Sequence, residues 1–465
     1  MATTTTLFDS DLLRRYDVPG PRYTSYPTAP QFSSGFGEAE LRRVAEASNG
    51  DPIPRPLSVY VHVPFCTSPC FYCGCNRIIT RDKARGEAYL TRLYREIGMM
   101  SRLFDRDREV VQLHFGGGTP NFLSPAQLAE TVDVMRRHFP LARDALLDCS
   151  IELDPHFIDP AEVAQLADAG FNRASLGVQD FDPAVQEAVN RIQSVEQTMA
   201  VIEACRAHGM RSINLDLIYG LPRQTLAGFD RTLDTVLDVR PDRFAVYSYA
   251  HLPGMFRAQR HIRAEDLPTP EVKLALLQRA IERLGQAGYV YIGMDHFALP
   301  EDDLARAQAR GGLHRNFMGY TTCADSDLLG LGVSAISHIG YSFSQNPRDL
   351  QSWEQAIDAG RLPVWRGMHM DDDDVLRADV IQQLMCHGEL DFEAVGRRHV
   401  IDFREYFAEA MQRLTVLADD GLVELGTAGL RATSRGKLLL RIIAMCFDRY
   451  LPRAAAAPVQ FSRTV

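Results

Sequence analysis

The residues best suited to chemistry are four cysteines, Cys66, Cys70, Cys73 and Cys75, which lie within ten residues of one another. The spacing Cys-x3-Cys-x2-Cys allows one loop to present three thiolates to an iron–sulfur cluster. Zinc normally requires a second pair of ligands, and a thioredoxin-like redox pair would leave Cys66 without a role. The spacing therefore favours a [4Fe–4S] cluster held by Cys66, Cys70 and Cys73, with Cys75 outside the ligand set.

The cysteines follow the first of six short β-rich segments that alternate with helical patterns. This alternation predicts consecutive βα units and a parallel sheet, with a site at the carboxyl ends of its strands. The predicted strands cover residues 57–63, 111–115, 147–153, 173–178, 213–218 and 243–249, and the clearest helical patterns cover 87–103, 125–138, 195–208 and 226–239. We therefore predict an α/β fold, a partial (β/α)6-type TIM-like barrel.

Three regions are expected along the chain. Residues 1–50 are rich in turn-forming and aromatic residues and predict an ordered N-terminal arm. Residues 51–365 contain the barrel. Residues 366–465 predict a mainly helical C-terminal domain, in which residues 421–432 resemble a small hairpin of the winged-helix type.

Composition limits the classes of partner. The chain has 465 residues, of which 46% are hydrophobic and 24% charged, as in ordinary globular proteins. Its net charge of −10 argues against broad binding to nucleic acid or to an acidic membrane. No apolar run reaches the length of about 18 residues that a membrane span needs, and the first fifteen residues lack the apolar segment of a signal peptide. A cytoplasmic protein is expected.

The cysteine spacing after the first predicted strand resembles the radical S-adenosylmethionine (SAM) superfamily. A narrower resemblance, to the oxygen-independent coproporphyrinogen III oxidase family, extends over nearly the whole chain. It is carried by Cys75, by the arm sequence Pro-Arg-Tyr-Thr-Ser-Tyr-Pro-Thr at 21–28, and by the segments 249–253, 294–297, 319–322 and 332–337. The family commonly has glutamine at the position where this chain has Met318. A contact of that side chain with a second SAM or with the substrate is therefore not expected from the resemblance.

The resemblance implies an anaerobic enzyme of haem biosynthesis. A [4Fe–4S] cluster and SAM would generate a 5′-deoxyadenosyl radical, which abstracts hydrogen from propionate side chains of coproporphyrinogen III. Loss of CO2 and one electron from each of two propionates would give the vinyl groups of protoporphyrinogen IX. Two alternatives remain, a radical-SAM-like haem chaperone and a radical SAM tetrapyrrole methyltransferase, and the arm and Cys75 favour the oxidase.

The resemblance also assigns individual residues. Tyr60 and Arg22 are placed at the catalytic centre, with the arm over the active site and Arg22, Tyr23 and Tyr26 facing the tetrapyrrole. Three glycines at 116–118 would let backbone amides approach a carboxylate. The residues assigned to SAM are Tyr60, Tyr72, Gly117, Gly118, Thr119, Glu152, Gln179, Arg191, Asp216, Ala250 and Ile336. We also expect a second bound SAM, a flavodoxin or ferredoxin as reductant, and a monomeric state.

Overall fold

The computed structural model describes residues 8–143, 145–451 and 462–464. The strands are β1 Leu57–Val63, β2 Phe65–Cys66, β3 Ile78–Ile79, β4 Val110–Gly117, β5 Asp148–Leu153, β6 Arg173–Gln179, β7 Ser212–Tyr219, β8 Arg243–Ser248, β9 Val290–Gly293, β10 His296–Ala298, β11 His314–Asn316, β12 Gly319–Thr321, β13 Asp327–Leu331, β14 Ile336–Ile339, β15 Ser342–Gln345, β16 Arg366–His369, β17 Glu389–Asp391, β18 Val423–Leu425 and β19 Gly429–Ala432.

The helices are α1 Ser10–Arg15, α2 Glu38–Asn49, α3 Ala84–Ser101, α4 Pro125–His138, α5 Pro160–Asp168, α6 Pro183–Ala188, α7 Val195–Ala207, α8 Leu226–Val239, α9 Pro270–Gln286, α10 Asp303–Arg310, α11 Leu350–Asp358, α12 Asp372–His387, α13 Phe392–His399, α14 Phe403–Tyr406, α15 Ala408–Asp419 and α16 Leu440–Met445. Within the described ranges, no helix is both long and apolar enough to cross a membrane.

The chain divides into two compact units. Unit 1 comprises the described parts of residues 1–31, 269–324 and 370–465, and unit 2 comprises residues 32–268 and 325–369. The predicted boundaries at residues 50 and 365 are therefore corrected. Residues 32–50 belong to unit 2, where Phe32 stacks on Phe343 of β15. Residues 269–324, which were assigned to the barrel, belong to unit 1, where the Tyr320 hydroxyl donates to the Met385 carbonyl of α12.

Unit 2 contains the predicted parallel sheet. Strands β1, β4, β5, β6, β7 and β8 are adjacent in that order and parallel, and helices follow the first five of them. Local sequence sets the helix starts: Ser124 caps α4 by accepting from the Gln127 N–H, and Pro125 occupies the first turn. The six predicted strands and the partial barrel are confirmed.

Unit 2 extends the sheet beyond β1 with four strands that the sequence pattern did not predict. Strand β13 pairs parallel to β1, and β14, β15 and β16 continue the sheet in antiparallel order. These strands are only four or five residues long. Segments this short give little periodicity to detect, and β13 and β15 are buried along their whole length, so they do not alternate.

Unit 1 is mainly helical, with a small antiparallel sheet in the order β17-β19-β18. The predicted hairpin corresponds to β18 and β19. The arm is part of the core of this unit: Tyr23 is 3% exposed and Tyr26 is 5% exposed. The Tyr23 hydroxyl donates to Asp448, and the Tyr26 hydroxyl accepts from the Arg449 N–H. The expectation that these two rings face a tetrapyrrole is therefore wrong, because both are packed inside unit 1.

A buried ion pair ties the N-terminal part of unit 2 to its sheet. Arg108 Nη2 lies 2.7 Å from Asp327 Oδ2 at the start of β13, and both side chains are 1% exposed. Arg108 also donates to Ser48 and Asn49 at the end of α2. Removal of one partner would leave the other buried and uncompensated.

The variant Asp327→Ala is expected to lower the free energy of unfolding of unit 2 by about 3–5 kcal/mol, because the Arg108 charge loses its partner. Anaerobic urea denaturation measures this change. The control, Arg42→Ala, removes an exposed helix pair with Glu38 and should cost less than about 1 kcal/mol. Equal effects of the two substitutions would show that the buried pair does not stabilise unit 2.

Candidate active site

A closed loop carries the clustered cysteines. We call residues 66–77 the cysteine loop; it begins with Cys66, the last residue of β2, and leads into β3. The short parallel pairing of β2 with β3 joins its two ends. The Thr80 N–H donates to the Cys66 carbonyl at 2.9 Å, and the Ile78 N–H donates to the Pro64 carbonyl at 2.6 Å. The loop is thereby fixed at both ends while its middle follows no regular structure.

The cysteine loop forms one wall of a cavity in unit 2. The cavity has a volume of about 300 Å³, and the carboxyl ends of neighbouring parallel strands form its other walls. It brings together most of the residues assigned from the sequence: Cys66, Cys70, Tyr72, Cys73, Gly117, Gly118, Thr119, Glu152, Gln179, Arg191 and Asp216. We call this space the site cavity.

The cysteines present the donors that an iron–sulfur cluster needs. Cys66, Cys70, Cys73 and Cys75 are free thiols, and all four line the site cavity. Cysteine thiolates hold such clusters in proteins, so the side chains of this loop fit that group.

Two arginines contact the cysteine loop. Arg77 donates to the carbonyl oxygens of Cys70 at 3.2 Å and Cys73 at 3.1 Å. Arg191 Nη1 lies 3.5 Å from Cys70 Sγ and 2.9 Å from Asp154 Oδ2. Hydrogen bonding from Cys75, together with the Arg77 charge, lowers the pKa of the Cys73 thiol. Cys73 is therefore favoured as a thiolate, the form in which cysteine binds iron, whereas burial raises the pKa of the Cys66 thiol to about 11.

The glycine turn after β4 packs tightly against β1. Gly117 has a φ of 121°, and a side chain there would meet the His62 ring at 2.7 Å. The Gly117 N–H donates to Glu152 at 3.1 Å, and the Gly118 N–H donates to the Val63 carbonyl at 2.8 Å. Both amides thus have acceptors within the protein, and the contact of this turn with a ligand carboxylate stays a prediction. The next residue, Thr119, donates from its hydroxyl to Cys66 Sγ at 3.3 Å.

Two acidic side chains come from strands β5 and β7. Glu152 Oε1 lies 3.4 Å from His114 Nε2, and its side chain is 44% exposed. Asp216 accepts hydrogen bonds from Asn214 at 2.7 Å and Ser175 at 3.3 Å. Burial and the nearby Glu152 charge raise the pKa of Asp216 to about 7. The pair provides acceptors suited to hydroxyl or ammonium groups, and near neutral pH one carboxyl is partly protonated.

The end of β6 has an irregular backbone that makes room for Arg191. Gln179 adopts a φ of 67°, and the pairing with β7 shifts register between Gly177 and Gln179. A side chain at Gly177 would come within 3.0 Å of Arg191 Nη2, which donates to the Gly177 carbonyl. Asn190 donates to the Pro69 carbonyl at 2.7 Å and so ties this segment to the cysteine loop.

Three assigned residues of unit 2 lie outside the cavity lining. The Tyr60 hydroxyl bonds to His62 Nδ1 at 3.0 Å, and its ring stacks on His114. Ile336 begins β14, where its backbone lies against Gly330, the register partner of Tyr60. Ala250 is connected to the lining through Gln259, which donates to the carbonyls of Ala250 at 3.1 Å and Tyr72 at 3.0 Å.

Arg22 belongs to unit 1. Its guanidinium forms an ion pair with Asp295, and its carbonyl accepts from Arg315. The Arg22 side chain is 34% exposed. The ion pair of Arg22 with Asp295 was not predicted from the sequence.

The sequence reasoning missed several residues that organise the site. They are Arg77, His114, Asp154, Asn190 and Gln259, whose contacts are given above. Three had a usable signal, because Arg77 lies two residues after Cys75, Asp154 lies two residues after Glu152, and Asn190 precedes Arg191. Gln259 had none, since it lies in a short 3-10 helix far along the chain.

Comparison with known proteins agrees with this geometry. The family model of the radical SAM superfamily matches residues 60–236, and that of the HemN C-terminal domain matches residues 370–439. The oxygen-independent coproporphyrinogen III oxidase of Pseudomonas aeruginosa is 54% identical over 96% of each chain, and that of Escherichia coli is 48% identical over 98% of each chain. The solved structure of coproporphyrinogen III oxidase from Escherichia coli, described as a radical SAM enzyme, has a TM-score of 0.91 at 46% identity and covers 96% of this chain and 100% of that chain.

The parallel sheet and the cysteine cavity define a radical SAM enzyme, with a [4Fe–4S] cluster and SAM as its cofactors. More narrowly, the chain belongs to the oxygen-independent coproporphyrinogen III oxidase family. The predicted family, fold class and cofactors are confirmed. The roles of individual residues and a second SAM remain predictions.

Replacement of Cys66, Cys70 or Cys73 by serine is expected to remove most of the iron and sulfide that the protein binds after anaerobic reconstitution. Each substitution removes one thiolate from the site cavity, whereas Cys75→Ser should retain the cluster. Metal and sulfide analysis measures the result, with Cys323→Ser in unit 1 as the control. Loss of the cluster in Cys75→Ser alone would contradict the ligand assignment.

Proposed function

We propose that this chain converts two propionate side chains of coproporphyrinogen III into vinyl groups, giving protoporphyrinogen IX. Each conversion removes a hydrogen atom, CO2 and one electron from a propionate. The observation that carries the proposal is the site cavity, which brings three loop thiols together with the polar ends of β4 to β7. The substrate follows from relatives of that name, which match this chain over nearly its whole length.

Cys66, Cys70 and Cys73 would hold the cluster, and Thr119 would donate to the Cys66 sulfur as it does in the structure. The cluster together with SAM supplies the radical that removes hydrogen from the substrate. The protein contributes placement and charge to this chemistry. Arg191 is held by Asp154 and by the Gly177 carbonyl, so its position at Cys70 does not depend on a ligand.

The polar residues at the strand ends would bind SAM. Glu152 and Asp216 can accept from its ammonium or ribose groups, and Gln179 offers an amide that can donate or accept. The Gly117 to Thr119 turn and Tyr72 line the same cavity and would contact the methionyl part. Tyr60, Ala250 and Ile336 would act at the edge of this site, where Tyr60 orders His62 and His114.

Arg22 would bind a carboxylate of the substrate. Coproporphyrinogen III carries four carboxylates, and the planar guanidinium of Arg22, whose side chain is 34% exposed, suits a carboxylate. Asp295 is the ion-pair partner of Arg22 in the structure.

The two alternative functions are less well supported. The curated relatives carry the oxidase name and cover 96–98% of this chain. A haem chaperone would bind haem tightly without consuming coproporphyrinogen III. A methyltransferase would add mass to its tetrapyrrole instead of removing CO2.

Cellular setting and assembly form a further part of the proposal. The chain would act in the cytoplasm as a monomer, with a flavodoxin or ferredoxin as electron donor and with a second SAM bound during turnover. Family resemblance supports the donor, and the negative net charge supports a soluble setting. Size-exclusion chromatography with light scattering tests the monomeric state.

The reconstituted protein is expected to convert coproporphyrinogen III into protoporphyrinogen IX under anaerobic conditions with SAM and a reductant. Product mass analysis should show the loss of two CO2 per tetrapyrrole, together with methionine and 5′-deoxyadenosine. The matched control is Cys70→Ser, which should form none of these products. Haem binding without conversion of coproporphyrinogen III would instead establish the chaperone.

The variant Arg22→Ala is expected to raise KM for coproporphyrinogen III about tenfold, because a hydrogen bond to a charged group contributes about 1.5–3 kcal/mol. Cluster content and SAM affinity should stay at the parental level. Steady-state kinetics and iron analysis measure these quantities.

The variant Asp295→Ala distinguishes a role of Arg22 in substrate binding from a role in a structural ion pair. It breaks the ion pair between Arg22 and Asp295 but keeps the Arg22 cation, so KM for coproporphyrinogen III should stay near the parental value. If both variants lost activity equally with unchanged KM, Arg22 would act only in the folding of unit 1.

A further inference from the structure

Arg77 is the last residue of the cysteine loop, and its position is fixed by the pairing that closes the loop. The next residue, Ile78, is held by the Pro64 carbonyl and pairs with Phe65 in the β2–β3 ladder. The Arg77 side chain lines the site cavity together with the cysteines. Its guanidinium is thus held next to the three proposed ligands, but Arg77 is not itself a ligand of the cluster.

The guanidinium contacts backbone carbonyls of three cysteines. Nη2 donates to the Cys70 carbonyl at 3.2 Å, and Nη1 donates to the Cys73 carbonyl at 3.1 Å and to the Cys75 carbonyl at 3.5 Å. The planar fork of arginine suits several acceptors at once, whereas a lysine offers its donors from a single nitrogen. These bonds orient the part of the loop that carries two of the proposed ligands.

The charge of Arg77 also lacks a carboxylate partner. Arg191 is paired with Asp154, but among the described residues no aspartate or glutamate lies within ion-pair distance of Arg77. The buried Arg77 Nε–H also has no hydrogen-bond partner in the described part of the chain. An unmatched cation and an unused buried donor beside three thiols require an explanation.

We propose that Arg77 clamps the cysteine loop and makes the cluster easier to reduce. The inference rests on the proposed cluster at Cys66, Cys70 and Cys73. When a cluster accepts one electron from a reductant, the cluster and its thiolates become more negative, and a nearby uncompensated cation stabilises that state. Arg77 is thus a positioning residue that also raises the reduction potential.

The test compares Arg77→Lys, Arg77→Gln and the control Arg42→Gln with the parental protein, all reconstituted and without SAM or tetrapyrrole. A redox titration followed by electron paramagnetic resonance gives the midpoint potential, and iron release to a chelator gives the stability of the loop. Arg77→Gln should make reduction at least tenfold less favourable, a shift of about 59 mV for one electron. Arg77→Lys keeps the charge and should stay near the parental potential.

Both Arg77 variants should release iron faster than Arg42→Gln, because both lose the three-carbonyl clamp. If Arg77→Gln binds no cluster, Arg77→Lys decides: a cluster with the parental potential in that variant supports the charge effect, and absence of the cluster from both variants overturns the charge effect. A parental midpoint potential in Arg77→Gln would also overturn the charge effect. Iron release at the parental rate in both variants would overturn the clamp. Absence of a cluster from the parental protein would refute the proposed function itself.

Discussion

Three thiolates on one loop repel one another, and the cysteine loop meets this repulsion with guanidinium groups. Arg77 contacts the loop through its carbonyls, and Arg191 contacts Cys70 directly. The two contacts differ in kind, because Arg191 is balanced by Asp154 while Arg77 is not. The loop is therefore organised before any ligand binds, which reduces the conformational entropy that cluster binding must overcome.

The parallel sheet adds the second requirement of the site, polar groups around one opening. Strands that run in the same direction end at the same edge, so single residues at the ends of β5, β6 and β7 come together there. Close packing needs positions without side chains, and Gly117 and Gly177 meet this need beside His62 and Arg191. Burial, followed by the nearby Glu152 charge, raises the pKa of Asp216 to about 7, so enclosing carboxyls in this cavity disfavours their charged form.

The sequence predicted the parts of the fold that repeat a clear pattern. Six of the parallel strands were predicted because βα units alternate regularly, and the α8 helix at 226–239 was predicted without error. The cysteine spacing predicted the loop that lines the site cavity, and the ligand roles of its cysteines stay predictions. By contrast, the parallel strand β13 and the antiparallel strands β14 to β16 are only four or five residues long, and the contacts of Arg77 and Gln259 depend on loop geometry that spacing does not encode.

The arm shows how a distinctive sequence can be interpreted correctly at the level of family and wrongly at the level of structure. Its aromatic residues were expected to face a ligand, yet Tyr23 and Tyr26 are buried with Asp448 and Tyr450 in unit 1. Tyrosine suits both situations, because it has a large apolar ring and a hydroxyl that needs a partner when buried. Residue type alone could not distinguish them. Arg22 differs because its side chain is 34% exposed and pairs with Asp295, so within this short segment the two tyrosines build the core of unit 1 while the cation is held in a partly exposed ion pair.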